Sequence, residues 1–187
     1  VALTVKGWTL EGPAGVAGQA PARDTLAGNP SQVLVSLTNE QEGVVRSDLA
    51  HNLLIDAAAV EAHVQAIVER VAAQGYDGVE LAYMDVNPDL RAEFSAFVTR
   101  LANTLQEQHK MLAVRLPAPH EDDGTWDTGA YDWQAIGQVA DLVRVTLPVE
   151  PESYAPGGQV ERLLNWAVGN VPRSRLEVVI SAYSHDA

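Results

Sequence analysis

The chain has 187 residues, of which 47% are hydrophobic and 20% charged, a composition typical of a folded globular protein and not of a disordered one. Its net charge of -13 repels phosphate backbones, so we expect no nucleic-acid partner. No apolar run is long enough to cross a bilayer, and we therefore expect no direct membrane insertion. The absence of cysteine excludes disulfides, thiolate metal ligands and a cysteine nucleophile.

The hydrophobic pattern predicts six strands that mostly alternate with helices. Apolar runs rich in β-branched residues predict strands at 1–10, 32–37, 79–84, 111–116, 142–147 and 176–181. Apolar residues at helical spacing predict helices at 48–54, 56–74, 88–105, 132–139 and 160–168. The remaining segments are predicted as loops: 11–30, with one helical turn near 23–26, then 38–43, 121–127 and 150–158. This alternation implies parallel strands joined by right-handed crossovers, and hence an α/β fold.

The pattern contains no recognisable metal or cofactor motif, so we expect neither a metal nor a cofactor. The five histidines lack metal-ligand spacing, and no phosphate-binding loop or dinucleotide fingerprint occurs. The acidic stretch 121–127 lacks the spacing of a calcium loop, which favours a solvated surface loop. His63 lies in a helix pattern, where a solvent-facing side chain is the default expectation.

The stretch Tyr76-Asp77-Gly78-Val79 resembles the start of the fourth barrel strand of family 18 glycoside hydrolases, the chitinase-like barrels. That family carries Asp-x-x-Asp-x-Asp-x-Glu there, and the four corresponding positions in this chain are Asp77, Glu80, Ala82 and Met84. The resemblance covers most of the chain and is nearest to the bacterial spore-germination and cortex-hydrolase branch. Segments similar to its second, third, fifth and seventh strands occur at 1–15, 33–39, 111–118 and 175–183.

The resemblance implies a (β/α)8 barrel of the TIM type, of which this chain would supply only strands two to seven. An open barrel would expose unpaired strand edges, which natural proteins avoid. We therefore expect one domain over residues 1–187 that is part of a longer polypeptide. An open, doubly wound sheet is the structural alternative.

The family's catalytic groups are missing from the corresponding positions. The resemblance implies that the motif glutamate protonates the leaving oxygen and that the preceding aspartate orients the sugar's acetamido group. Met84 and Ala82 occupy those two positions, and neither side chain can ionise. The family's sixth strand ends in a tyrosine and an acid, whereas this chain has Val145-Thr146-Leu147-Pro148. The prediction is a catalytically inactive member with no catalytic residue, and so not an enzyme.

Strand alternation places Glu80, Ala82 and Met84 on the face that points into the barrel. We expect the buried Glu80 carboxylate to pair with Arg115 or Arg144 on neighbouring strands, because buried charges are usually paired. The candidate residues for a glycan groove are Trp8, Asn39, Glu80, Tyr83, Met84 and Tyr183. For the aromatic members, packing in the core is the alternative.

The leading prediction is a glycoside-hydrolase-like domain with a structural or protein-interaction role. It would act in a larger bacterial assembly, extracellular or at the cell surface, with other domains or subunits as partners. One alternative is a lectin-like binder of glycans that contain N-acetylglucosamine, such as chitin or peptidoglycan. A third, less favoured, is an active hydrolase that uses Asp85 or Glu40 as its acid.

Overall fold

The computed structural model of the chain describes residues 2–26, 32–148 and 150–179. The strands of these ranges, in chain order, are β1 (Leu3–Glu11), β2 (Gly15–Ala17), β3 (Val33–Thr38), β4 (Glu40–Gln41), β5 (Val44–Val45), β6 (Gly78–Ala82), β7 (Met111–Leu116), β8 (His120–Asp122), β9 (Thr125–Asp127), β10 (Leu142–Thr146) and β11 (Leu176–Val179). The α-helices are α1 (Ser47–Leu54), α2 (Ala57–Ala73), α3 (Arg91–Glu107), α4 (Trp133–Val139) and α5 (Gln159–Asn170). Short 3-10 turns occur at Arg23–Thr25, Pro88–Leu90 and Pro151–Tyr154.

Seven of these strands form one sheet, in the order β11-β10-β7-β6-β3-β1-β2. Every neighbouring pair from β1 to β11 is parallel, and only the short β2 runs antiparallel, beside β1. The six parallel strands follow one another in space as they do along the chain, with helices in most connections. The predicted α/β fold with a parallel sheet is therefore confirmed, and within the described ranges the sheet does not close into a barrel.

Local sequence explains where the long second helix begins and ends. The Asp56 carboxylate caps α2 by accepting hydrogen bonds from the amides of Ala58 and Ala59, at 2.9 and 3.2 Å. After the helix, Gly75 adopts a φ of 71°, which is a conformation that glycine reaches without steric cost. The chain can then turn directly into β6. No helix among the described residues has both the length and the apolar character needed to cross a membrane.

The two faces of the sheet differ in polarity because side chains alternate along each strand. The outer face packs against the helices and forms the main core, to which β6 contributes Val79 and Leu81, and to which Tyr83, directly after β6, also belongs. The inner face is apolar only near the amino ends of the strands, in a small cluster formed by Ala2, Leu34 and Ala113 with Met111 and Leu142. Above that cluster the inner face is polar, and this polar layer leads to the candidate site.

Three hairpins replace predicted loops. Residues 15–17 pair with the end of β1, the stretch after β3 forms β4 and β5, and the acidic stretch forms β8 and β9. Glu121 of the last hairpin pairs with Arg162 of α5 at 2.9 Å, and Trp126 stacks on Trp166 at 5.5 Å between ring centroids. Strands of two or three residues are too short to show periodicity in sequence, so tertiary contacts decide them.

Candidate functional site

A cleft of about 310 Å³ opens on the inner face of the sheet, at the carboxyl ends of β3 and β6. Its lining comes from β1, β3, β6 and β7 and from the β4–β5 hairpin, namely Thr4, Lys6, Ser36, Thr38, Asn39, Glu40, Val45, Ala82, Met84 and Arg115. In α/β proteins this end of a parallel sheet is where ligands usually bind. The cleft is therefore the candidate functional site.

A network of buried charges lies beneath the cleft, centred on Glu80. The Glu80 side chain is fully buried, with Oε1 2.7 Å from Arg115 Nη2 and Oε2 2.5 Å from Arg144 Nη1. Arg144 Nε also donates to Glu177 at 2.8 Å, and its Nη1 donates to the Thr4 hydroxyl. The Arg115 contact is short but poorly directed, so Glu80 Oε1 has no hydrogen bond among the described residues.

The predicted pairing of Glu80 is confirmed with both arginines at once. Burial tends to lower the pKa of Arg144, but hydrogen bonds to Glu80 and Glu177 outweigh it and raise that pKa above its ordinary value. Through their side chains, the network joins five strands of the sheet, namely β1, β6, β7, β10 and β11. The two arginines hold the Glu80 carboxylate beneath the cleft. Glu80, a predicted groove residue, therefore does not line the cleft.

Asn39 joins the ends of β3 and β6 and shapes one wall of the cleft. Its side-chain amide donates to the Met84 carbonyl at 2.8 Å, and its Oδ1 accepts from the Met84 amide at 2.9 Å. This reciprocal pair fixes the backbone just beyond β6. Ala82 and Met84 line the cleft as strand alternation predicted, and two groove candidates, Asn39 and Met84, come together there.

Of the two carboxylates considered as acids, Glu40 lines the cleft and Asp85 does not. Glu40 begins the β4–β5 hairpin, and its backbone carbonyl accepts a hydrogen bond from the Thr9 hydroxyl at 2.8 Å. Asp85 is exposed and adopts a φ of 52°, in the left-handed region. In the described part of the chain, no group of three acidic or histidine side chains is arranged to hold a metal ion.

The structure places two groove candidates in the core instead. Trp8 is 2% exposed and packs edge-on against Tyr76, with the Arg70 guanidinium 5.0 Å from its ring centroid. A register irregularity in β1 between Lys6 and Trp8 turns the indole toward the helices and away from the cleft. Tyr83 is fully buried on the same outer face. Tyr183, the remaining candidate, lies outside the described residues.

A buried histidine–tyrosine pair lies behind the motif strand. His63 of α2 donates a hydrogen bond from Nδ1 to the Ala14 carbonyl at 2.8 Å. Its Nε2 accepts a hydrogen bond from the Tyr83 hydroxyl at 2.6 Å. Burial lowers the pKa of His63 to about 4 and raises that of Tyr83 well above its ordinary value. The imidazole is therefore neutral at neutral pH, which is consistent with one ring nitrogen donating and the other accepting.

The expectation that His63 faces solvent is wrong. A signal was present in the sequence, because His63 lies four residues after Ala59 and four before Ile67, both of which are buried on the same side of α2. A polar residue in an apolar stripe at this spacing points into the core. Its hydrogen-bond partners, which come from a turn and a strand, could not be read from the same pattern.

Comparisons with known proteins agree with this geometry. The chain is 26% identical to YdhD of Bacillus subtilis, named as a sporulation-specific glycosylase, over 82% of this chain and 38% of YdhD. It is 24% identical to YvbX of the same organism, named as an uncharacterized glycosylase, over 91% of this chain and 53% of YvbX. The chain thus spans about half or less of these relatives. No family model matches it.

Solved structures show the same fold. The YdhD crystal structure superposes with a TM-score of 0.82 at 22% identity, covering 94% of this chain and 61% of that one. A chitinase from Chromobacterium violaceum superposes with a TM-score of 0.81 at 23% identity, covering 95% and 59%. At these identities the likeness establishes the fold, which is that of chitinase-like barrels.

These relatives overturn the prediction that the chain is not an enzyme. That prediction rested on Ala82 and Met84 and on the segment Val145-Thr146-Leu147-Pro148, whereas the relatives are named as glycosylases and a chitinase, which points to an enzyme family. The absence of ionisable groups from the expected positions does not establish inactivity, because one carboxylate, that of Glu40, lines the cleft. In sequence the chain is similar to proteins named as glycosylases, and in fold it is similar to a chitinase.

Proposed function

We propose that this chain provides the binding cleft of a glycoside hydrolase for glycans that contain N-acetylglucosamine. The observation that carries the proposal is the position of the cleft, which opens at the carboxyl ends of β3 and β6 with Ala82 and Met84 in its wall. Barrel enzymes bind their ligands at that end of the strands. The names of the relatives, glycosylases and a chitinase, support the substrate class.

The lining suits a sugar because polar groups alternate with small apolar surfaces. Ser36 and Thr38 supply hydroxyl groups, and Lys6 and Arg115 supply cationic donors. Ala82 and Val45 supply apolar surface of the kind that packs against the carbon face of a sugar ring. A volume of about 310 Å³ is at the small end of the range for ligand pockets, which fits one or two sugar units.

For catalysis, we propose Glu40 as the acid that protonates the glycosidic oxygen. Glu40 is the carboxylate that lines the cleft, and its side chain has no hydrogen bond or ion pair with the described residues. A general acid must reach the leaving oxygen within hydrogen-bond distance, and an exposed side chain on a hairpin can do so. Glu80 is unsuited to this role because two arginines already engage its carboxylate.

We further propose that other domains or subunits of a larger assembly contribute to the complete site. The chain covers 38% and 53% of its two curated relatives, so each of them has much additional polypeptide. An extracellular or cell-surface location belongs to the same proposal, because polymers of N-acetylglucosamine are cell-wall and matrix components. Fractionation of the producing cells, with detection of the chain in the surface fraction, tests the location.

The function is tested by measuring binding and turnover separately. Calorimetry with chitotetraose reports binding, and release of the fluorophore from a fluorogenic chito-oligosaccharide reports hydrolysis. We expect the wild-type protein to do both, and Glu40→Gln to retain binding while losing about 100-fold or more in rate. Asp85→Asn is the matched control, since Asp85 is an exposed carboxylate outside the cleft lining, and we expect its rate to be unchanged.

The two readouts separate the two parts of the proposal. Binding without hydrolysis by the wild-type protein rejects the role of Glu40 and leaves a glycan-binding cleft. If Glu40→Gln still hydrolyses the substrate and Asp85→Asn does not, the role of the acid is assigned to Asp85. The absence of binding heat with chito-oligosaccharides rejects the cleft as a site for this substrate class.

A further inference from the structure

The cleft contains a lysine that has no partner on the protein. The chain has only two lysines, and Lys6 lines the cleft while Lys110 precedes β7, at the amino ends of the parallel strands. Lys110 donates to the Tyr76 carbonyl at 2.7 Å. Lys6, by contrast, makes no hydrogen bond or ion pair with any residue of the described ranges. Its ammonium group is therefore available to a ligand.

Arg115 also lines the cleft, and its guanidinium has N–H groups without a hydrogen-bond partner among the described residues. Its side chain is 32% exposed, and its one ion pair joins Nη2 to Glu80. The guanidinium makes no hydrogen bond to the described residues, although it carries five N–H donors. One edge of the guanidinium thus faces the buried carboxylate, and the exposed part of the side chain faces the cleft.

The lining of the cleft carries a net positive charge, although the chain as a whole is strongly acidic. Acidic side chains outnumber basic ones by 25 to 12 over the whole sequence, yet the cleft lining has two cations and one carboxylate, Glu40. Beneath the floor, Glu80 and Glu177 balance Arg115 and Arg144. Lys6 is not needed for that balance, so its charge is not explained by the packing of the protein.

We propose that Lys6, assisted by Arg115, is a specificity determinant that selects glycans bearing a carboxylate substituent over neutral ones. This inference rests on the proposed function of the cleft and narrows its substrate class to acidic sugars. An ammonium group forms a charge-assisted hydrogen bond with a carboxylate, which is stronger than a bond between neutral groups. A neutral sugar gains no such bond and leaves the Lys6 charge without a counterion.

A matched pair of ligands tests the inference. Chitotetraose and carboxymethyl chitotetraose share one backbone and differ in the carboxylate, and calorimetry gives the affinity of each. We expect the wild-type protein to prefer the carboxymethylated ligand by about tenfold, since hydrogen bonds to charged groups contribute on that scale. Added salt should reduce the preference, because Lys6 is exposed.

The variants assign the preference to Lys6. Lys6→Gln should bind both ligands equally, and Lys6→Arg should restore the preference. Lys110→Gln removes the same charge at the amino ends of the parallel strands, away from the cleft, and should leave the preference intact. Because Lys6 is exposed and unpartnered, its replacement is not expected to unfold the protein, and circular dichroism checks this.

Failure of the inference and failure of the proposed function give different results. Equal wild-type affinity for the two ligands, or a preference that persists in Lys6→Gln, overturns the role of Lys6 while leaving the glycan-binding cleft intact. Binding of neither ligand overturns both proposals. A preference that is lost equally in Lys6→Gln and Lys110→Gln reflects net charge and also overturns the role of Lys6.

Discussion

Stability should decrease in mild acid because His63 is buried as a neutral imidazole. Burial lowers its pKa from 6.5 to about 4. In the unfolded chain the imidazole is solvated and keeps its ordinary pKa, so the unfolded state binds more protons between these two values. The stabilisation is complete above about pH 6.5 and is lost as the pH falls toward about 4.

The magnitude follows from the difference between the two pKa values. Each tenfold difference in proton affinity corresponds to about 1.4 kcal/mol, so the full effect is about 3 kcal/mol. Between about pH 7 and about pH 4.5, most of it is expressed, and we expect the free energy of unfolding to fall by about 2.5 kcal/mol from this residue. That is a large fraction of the stability of a typical domain.

Urea unfolding monitored by circular dichroism at the two pH values measures the effect. The variant His63→Gln can still donate to the Ala14 carbonyl and accept from Tyr83, but it cannot be protonated in this range. We expect the pH dependence of its unfolding free energy to be about 2.5 kcal/mol smaller than that of the wild type. His120→Gln, at an exposed position, is the control and should keep the wild-type dependence.

Because the carboxylates are common to all three proteins, their titration cancels in the comparison. Parallel pH profiles for the wild type and His63→Gln would refute the reasoning. They would mean that His63 is solvated in the folded protein, or that Tyr83 and Ala14 rearrange to accept the charged ring at no cost.

Three further predictions concern the residues that position the cleft. Gly78→Ala should lower stability by about 2 kcal/mol or more, because a Cβ there would overlap the Met111 carbonyl oxygen. Gly169→Ala, in α5 with open space around it, should be neutral or stabilising, and equal thermal melting of the two variants would contradict the packing argument. Glu80→Gln should cost about 3–5 kcal/mol in urea unfolding, since it leaves Arg115 without a counterion and the buried Arg144 with Glu177 alone. Glu61→Gln, at an exposed pair, should cost less, and a similar loss in both would show that burial is unimportant. Asn39→Ala should cost about 1–3 kcal/mol and weaken glycan binding, because it frees the backbone of Met84; unchanged binding would separate Asn39 from the cleft.

Comparison with relatives changed the functional conclusion more than the structure did. Ala82 and Met84 line the inner face as predicted, yet their lack of ionisable groups led to an incorrect expectation that the chain is not an enzyme. That expectation assumed that the acid comes from the end of β6, with Glu40 kept only as a less favoured alternative. Glu40 shows why that assumption is weak, because a hairpin beyond β3 brings a carboxylate into the same cleft.

The sequence by itself determined the features that depend on local periodicity and burial. The apolar runs located all six parallel strands, and alternation placed Glu80, Ala82 and Met84 on the inner face, whereas Tyr83, a predicted groove residue, lies in the core. The pairing of Glu80 with Arg115 or Arg144 followed from the cost of burying an unpaired charge, and the structure shows both pairs. Each of these needs only the residue pattern and the rule that apolar faces pack together.

The tertiary structure decided which side chains share the cleft. Trp8 is in the core because a register irregularity in β1 turns it over, and no local pattern encodes register between strands that are distant in sequence. The hydrogen-bond partners of His63 come from a turn and from the residue after β6. Lys6 and Glu40 line the same cleft because strand pairing and the β4–β5 hairpin bring them together. The physical reason is the same in each case. Contacts between distant segments depend on geometry that the complete sheet imposes, and a pattern read along the chain does not contain it.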